Sequence, residues 1–364
     1  MYIWVMKQIS TYGIKYTGSK LKLIPYIVSL ISDLKGVQNV LDGFSGTTRV
    51  AQALAQLGYH TTANDISIWS DVFANCFLKS SKRDSFYQEM IDHLNSIKGY
   101  DGWYTANYGS ELIDAKRPFQ SKNTRKLDAI RDEIETFNLD WPDKSVLLTS
   151  LIFALDKVDN TLGHYVAYLS KWSPRSYKDL FLKLPKRCSN NHMNHHVMRG
   201  DVFETVSNHE YDFVYFDPPY GSNNDKMPPS RVRYASYYHI WTTIIKNDKP
   251  KLFGKANRRE DTRDMISTSI FEEFRKHKDG SFIAMQALDK LIATTNSKYI
   301  LLSYSSGGRA TKKELHDIIN KSGELVKAIE VNYKQNVMSN MRSTHDWINS
   351  DCNYLEYLFL MMKK

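Results

Sequence analysis

Between residues 20 and 34 the apolar side chains Leu21, Ile24, Ile27, Val28 and Ile31 recur every three or four positions, which predicts an amphipathic helix. Val40 and Leu41 end a short apolar run that predicts a strand. Residues 47–57 return to helical spacing and stop at Gly58, which suits the left-handed position that closes helices. Residues 59–63 predict a second strand, running into Asn64 and Asp65. Strand, helix and strand at this spacing make a βαβ unit. From roughly residue 76 to 196 the alternation is lost, and helical patches at 127–137 and 145–158 stand among Tyr, Trp, Asn, Ser and charges. The α/β pattern resumes with a strand at 211–216. Further strands are predicted at 299–304, 325–331 and 354–361, with helices at 267–275 and 312–321. The chain therefore reads as one α/β domain, residues 1–76 and 197–364, interrupted by a mostly helical insertion at 77–196. An insertion of about 120 residues is near the size of a small domain.

Composition narrows the class. At 364 residues the chain can bury a full core without staples. The longest nearly apolar stretch, 146–155, is interrupted by Thr149 and Ser150 and is too short to span a bilayer. The opening MYIWVMKQIS lacks the features of a signal peptide. Cys76, Cys188 and Cys352 are too scattered for a metal site or a disulfide framework, which fits a reducing cytoplasm. His192, His195 and His196 lie in the run NNHMNHH without nearby Cys or a helical i, i+4 pair. They read as a polar surface loop, and no metal is expected. The net charge of +9 is concentrated. Residues 221–263 hold ten Lys/Arg against four Asp/Glu, and residues 171–187 hold six against one. Clustering of this kind suits a surface that meets phosphates.

Three segments carry candidate chemistry. In VLDGFSGTTRVAQAL, residues 40–54, a strand delivers Asp42 to its carboxyl end and Gly43 and Gly46 allow a tight turn before a helix. A dinucleotide fingerprint needs a third glycine where Arg49 stands, which disfavours a nicotinamide oxidoreductase, and no Gly-Lys-Ser/Thr follows for a phosphate loop. Asp65 ends the next strand, where a carboxylate can hold both hydroxyls of a ribose. In YDFVYFDPPYGS, residues 211–222, Pro218 and Pro219 stiffen a loop after an aromatic–aliphatic strand. That loop offers an acceptor carboxylate in Asp217, an acceptor carbonyl in Pro218 and a stacking ring in Tyr220. Those are the groups an exocyclic amine of a base requires.

KYTGSK at 15–20, DGFSGT at 42–47, Asn64-Asp65 and DPPY at 217–220 occur in the order found in the group-alpha, Dam-like adenine-specific DNA methyltransferases of restriction–modification systems, which the chain resembles. The resemblance covers both ends of the catalytic domain and leaves out 77–196. It implies a Rossmann-like S-adenosylmethionine-dependent methyltransferase sheet with an inserted target-recognition domain. It also implies S-adenosylmethionine as cofactor, S-adenosylhomocysteine as product, and double-stranded DNA as substrate. A cognate restriction endonuclease would be a functional partner, in a prokaryotic or phage cytoplasm, with no membrane contact. By matching positions, Tyr16, Lys20, Asp42, Phe44, Gly46, Asp65, Asp201 and Asp217 would contact the cofactor, while Asp217, Pro218, Pro219 and Tyr220 would form the catalytic loop. The stretch 223–263 is longer and more basic than a minimal relative needs.

The DNA-contacting residues expected from charge are Arg231, Arg233, Lys255, Arg258 and Arg259 after the catalytic loop, with Lys171 and Arg175 in the insertion. Tyr237, Tyr238 and Trp241, at helical spacing, are expected in a core. Methylation of RNA adenine, N(4)-methylation of cytosine in DNA, and a catalytically silent DNA-binding subunit stay open as alternatives. Asp rather than Ser before the two prolines favours adenine through the family resemblance.

Overall fold

The computed structural model describes residues 9–112, 116–187, 194–221, 233–263, 269–273, 275–332 and 355–364. Seven strands form the main sheet: β1 (Asn39–Asp42), β2 (His60–Asp65), β3 (His196–Arg199), β4 (Tyr211–Phe216), β5 (Ser297–Ser305), β6 (Gly323–Asn332) and β7 (Leu355–Lys363). Their spatial order is β3-β2-β1-β4-β5-β7-β6. The first five are parallel, and β7 runs antiparallel between β5 and β6. This is the doubly wound order with a last strand slotted in antiparallel. Its switch point lies between β1 and β4, where ligands of such sheets bind beyond the carboxyl ends of the strands.

Side chains alternate across the sheet. Val40, Phe213 and Tyr215 face helices α1 (Ile24–Ser32) and α2 (Arg49–Gln56). Leu41, Val214 and Phe216 face the opposite layer, which contains α8 (Val202–Asn208), α10 (Ile283–Thr294) and α11 (Lys312–Ser322). The helix predicted at 267–275 is not formed by its described residues, 269–273 and 275. Its described part is one 3-10 turn, Ile270–Glu272, and the helix feeding β5 is α10. Residues 284–292 carry helical spacing too, in Ala284, Met285, Ala287, Leu288, Leu291 and Ile292, so the signal was present further along.

The insertion packs α4 (Asp84–Ser96), α5 (Trp103–Tyr108), α6 (Ser121–Thr136) and α7 (Trp141–Asp156) around their own core. That core also takes in Trp69, Val72 and Phe73 of α3 (Ile68–Ala74) and Tyr238, Ile240, Trp241 and Ile244 from the region of α9 (His239–Lys246). Part of the basic segment is thus a helix packed into the same core as α4 to α7. Buried Arg131 helps fix it, donating from Nη2 to the carbonyl of Ile245 at 3.1 Å. A cation at the carboxyl end of a helix suits the helix dipole.

His195 is buried rather than on a surface loop. Its Nδ1 accepts the N–H of Thr61 at 3.3 Å, at the entry to edge strand β3. Cys76 is buried, while His192, Cys188 and Cys352 lie outside the described residues. Among the described residues no helix is long and apolar enough to cross a membrane, and no cluster of His, Cys, Asp or Glu is arranged to hold a metal ion.

Candidate active site

A cavity of about 850 Å³ opens at the carboxyl ends of β1, β2 and β4. It collects residues 16–20, 42–47, 64–69 and 199–203, together with Asp217, Pro219 and Tyr234. The first of these arrives because the N-terminal segment is tied along α2. Gln52 Oε1 accepts the N–H of Tyr12 at 2.8 Å, and its Nε2 donates to the Tyr12 carbonyl at 2.9 Å. Gln56 repeats the pattern one turn later with Ser10, at 3.1 and 2.9 Å. Arg49 Nη1 donates to the Thr11 carbonyl at 2.7 Å, so the residue that replaces the third glycine has a holding role.

The segment then turns so that the Tyr16 ring stacks on Tyr238 at 4.6 Å and Lys20 enters the cavity. Lys20 is 6% exposed, and its Nζ lies 3.0 Å from Asp217 Oδ1 and 3.3 Å from Glu356 Oε2. The hydroxyl of Tyr220 donates to the other oxygen of Glu356 at 3.2 Å. Lys20, Asp217, Tyr220 and Glu356 therefore form one buried charged cluster. Burial pushes the Asp217 carboxyl up to about 7, an effect that the Lys20 ammonium only partly offsets and Glu356 adds to. Burial alone would depress Lys20, but Asp217, Tyr220 and Glu356 together hold it well above its ordinary value.

Sequence patterning did not single out Glu356. Its signal is an acid between Leu355 and the apolar run 357–362, where a buried strand has no reason to carry a charge without a partner.

Where β1 meets the cavity, Asp42 is 1% exposed. Its Oδ2 accepts the N–H of Ala51 at 2.9 Å, and its Oδ1 is buried with no hydrogen-bond partner among the described residues. Burial is the largest influence on this carboxyl and raises it to about 8, with Asp217 and Asp65 adding to the rise. Gly43 is required by packing, since a Cβ there would lie 2.8 Å from the Phe216 ring. Phe44 meets Phe271 edge to face at 5.2 Å.

Asp65 is part-buried. Its Oδ2 accepts from Gly46 N–H at 2.9 Å and its Oδ1 from Ser67 N–H at 2.8 Å. A carboxylate has about four acceptor positions, so capacity for a ribose remains. Asp201 caps α8, accepting the N–H of Phe203 at 2.9 Å, and lines the cavity.

A ligand with a cationic centre and hydroxyls fits this wall. It offers an orphaned carboxylate oxygen in Asp42, spare acceptors on Asp65 and apolar rings in Phe44 and Tyr16.

The residues expected on DNA divide. Arg231 lies outside the described residues. Lys171 and Lys255 are exposed, and Arg258 is half-buried with its guanidinium 4.6 Å from the Phe253 ring centre. Arg233 is buried at 6% exposure. Two expectations need correction. Arg259 is 2% exposed and makes paired bonds to Asp248, at 2.6 and 2.7 Å, and to Asp261, at 3.0 and 2.8 Å. Arg175 is tied to buried Asp159 and donates to the carbonyls of Asp159 and Thr161 at 2.9 and 2.6 Å. Both cations are paired with acids by the geometry of the fold, which a linear charge total does not show, so each guanidinium already has a carboxylate partner.

Replacing Arg259 with Ala is accordingly expected to lower the melting temperature while leaving the salt dependence of DNA binding unchanged. Removing the cation would uncouple two partly exposed acids, a cost of about 1–3 kcal/mol after allowance for their solvation. Lys255→Ala should do the reverse, flattening the log–log salt slope by up to ~1 unit for a side chain that meets one phosphate. Thermal melts and binding isotherms across a salt series separate the two effects.

Several sequenced proteins are similar to the chain. "Modification methylase StsI" of Streptococcus sanguinis is 30% identical over 84% of this chain and 46% of that protein. "Type II methyltransferase M.NlaIII" of Neisseria lactamica is 25% identical over 94% of this chain and 98% of that protein. "Type II methyltransferase M.FokI" of Planomicrobium okeanokoites is 25% identical over 96% of this chain and 52% of that protein. The chain thus spans about half the length of the StsI and FokI proteins and nearly all of the NlaIII protein. The sequence pattern of a single family matches residues 16–318, taking in the N-terminal loop, Asp42, Asp65, the insertion and the Asp217 loop, and the chain belongs to that family, the D12 class N6 adenine-specific DNA methyltransferases.

Proposed function

We propose that the chain transfers a methyl group from S-adenosylmethionine to the exocyclic N6 amine of an adenine turned out of duplex DNA, as the modification enzyme of a restriction–modification system. The observation that carries this reading is the position of Asp217. It is a part-buried acceptor on a stiff Pro-Pro loop, held by Lys20 at the edge of the cavity that contains Asp42 and Asp65. S-adenosylhomocysteine would be the product, a cognate endonuclease the functional partner and the cytoplasm the setting. The names of the three relatives, a modification methylase and two type II methyltransferases, support the restriction–modification part.

The chemistry follows from the residues. The cofactor, when bound, supplies a methyl group already made electrophilic by its sulfonium. Asp42, Phe44, Gly46, Asp65, Asp201 and Tyr16 would hold it. The adenine amine is a poor nucleophile because its lone pair is delocalised into the ring. Hydrogen bonds from that amine to Asp217 and to the Pro218 carbonyl localise the lone pair and stabilise the positive charge that develops on nitrogen. Pro219 and Pro218 keep those acceptors from moving, and the Tyr220 ring, braced by Glu356, holds the plane of the base. A stacked base cannot reach this loop, so the adenine must be extruded. The proton then leaves a cationic nitrogen easily, and Asp217 need not retain it.

Lys20 favours the ionised form of Asp217 against burial in this account. Activity should rise with pH as Asp217 loses its proton near 7, and this limb belongs to kcat/KM of the free enzyme. Lys20→Met removes the main influence that opposes burial, so the limb should move to higher pH. A limb that stays in place would separate Lys20 from Asp217 in function. Transfer of tritiated methyl from S-adenosylmethionine to duplex DNA and to RNA tests the wider proposal. Label entering duplex DNA alone is expected, and label confined to RNA would overturn it.

A further inference from the structure

We propose that Arg309 forms an anion site for a phosphate of the DNA strand beside the target adenine, an inference that rests on the DNA-methyltransferase reading. Arg309 lies in the loop between β5 and α11 and is 3% exposed. Its Nε and Nη1 are buried without a hydrogen-bond partner among the described residues, and its guanidinium lies 5.9 Å from the Phe282 ring centre. Two other buried arginines hold partners, Arg259 with Asp248 and Asp261 and Arg131 with backbone carbonyls, and half-buried Arg175 holds Asp159. A guanidinium is always charged and presents planar donors that match phosphate oxygens. With two of those donors unsatisfied among the described residues, it has unused capacity for an anion.

Its place indicates which anion. The backbone N–H of Arg309 donates to the Tyr220 carbonyl at 3.0 Å. Its guanidinium lies directly against Gly221, where an added Cβ would fall 1.8 Å from Nη1. Gly221 also holds a φ of +56°, which suits glycine. The cation is therefore fixed to the two residues that follow the prolines of the catalytic loop, on the side of the Tyr220 ring.

Among the described residues the nearby acids, Glu272 and Glu273, already hold partners. Glu272 accepts the N–H groups of Tyr234 and Ser269, each at 3.3 Å, and Glu273 pairs with Arg275 at 2.7 Å. Arg309 does not line the cavity that holds Asp42 and Asp65, so a cofactor carboxylate there is not its natural partner. A nucleotide whose base is held by Asp217 and Tyr220 must bring its own phosphates past this loop. Arg309 would grip one of them and keep the nucleotide extruded.

The test uses duplexes in which single phosphates around the mapped target adenine are replaced by neutral methylphosphonates. Wild-type protein should lose about tenfold or more in affinity at one phosphate flanking that nucleotide. Arg309→Gln should bind the unmodified duplex more weakly, lose its sensitivity at that one position, and show a log–log salt slope smaller by about one unit. Its affinity for S-adenosylmethionine should stay within about twofold of wild type, as expected when only a charged group facing DNA is removed. If cofactor affinity falls instead and the phosphate sensitivity persists, the anion is the cofactor carboxylate and the proposal fails.

Should Arg309→Gln not fold, the wild-type scan decides. No sensitive phosphate in a protein that binds duplex DNA overturns the Arg309 site and leaves the methyltransferase reading standing. A wild-type protein that binds no duplex at all overturns both.

Discussion

Replacing Asp217 with Asn is expected to slow methyl transfer about 10²–10³-fold, the usual loss when one preorganised polar group at a developing charge is removed. Asn keeps the shape but offers one acceptor and no negative charge, so the cation forming on the amine loses its counter-charge in a buried site. The fold should survive. Asp217 is already difficult to ionise where it sits, with a carboxyl raised to about 7 by burial, and a neutral residue removes that penalty. Lys20 would keep Glu356 at 3.3 Å as a partner, so the ammonium is not stranded. Single-turnover transfer to duplex DNA measures the rate, and thermal melting checks the fold. A folded variant with more than half of wild-type turnover would remove Asp217 from the chemistry.

Asp42→Asn should weaken S-adenosylmethionine by roughly 10–100-fold, the range for removing a hydrogen bond to a charged group, and should stabilise the free protein near neutral pH. The sign follows from linkage. In the fold the Asp42 carboxyl titrates at about 8, against 3.8 ordinarily. Between those values the folded state holds a proton that the unfolded state has released, so stability falls as pH rises through this window. Asn cannot ionise and cancels that slope. Binding of a cationic ligand reverses the preference and favours the charged carboxylate. Cofactor affinity of the wild type should therefore increase with pH up to about 8, with release of a proton on binding. Calorimetry in buffers of different ionisation enthalpy reads the proton, and melts from pH 5 to 8 read the slope. Affinity that does not change with pH in the wild type would detach Asp42 from the cofactor.

What the sequence carried, it carried through pattern. The βαβ unit at 39–65 and the strand at 211–216 follow from local pattern, because their apolar residues pack against the helix layers that cover the sheet. The segments that line the cavity were legible for the same reason: Asp42, Asp65 and Asp217 each stand at the end of a strand, and the carboxyl edge of a parallel sheet is where ligands sit.

Electrostatic pairing across distant segments was not legible. Glu356 reaches Lys20 and Tyr220 only because β7 returns antiparallel beside β5, a pairing of residues more than 130 apart that no local signal encodes. Arg259 and Arg175 looked like free cations because their acids, Asp248, Asp261 and Asp159, are matched by geometry rather than by charge totals. The glutamine ladder of Gln52 and Gln56 is likewise invisible in a helix whose hydrophobic pattern says only that one face is buried.

Nucleoside analysis of DNA incubated with the protein and S-adenosylmethionine bears most directly on the central claim, that the Asp217 loop methylates adenine. DNA of mixed sequence is treated, digested to nucleosides and resolved by mass spectrometry, with Asp217→Asn as the control. The expected result is N6-methyldeoxyadenosine in the wild-type sample, reduced about a hundredfold or more in the control. N4-methyldeoxycytidine in place of N6-methyldeoxyadenosine, or equal N6-methyldeoxyadenosine from both proteins, would contradict it.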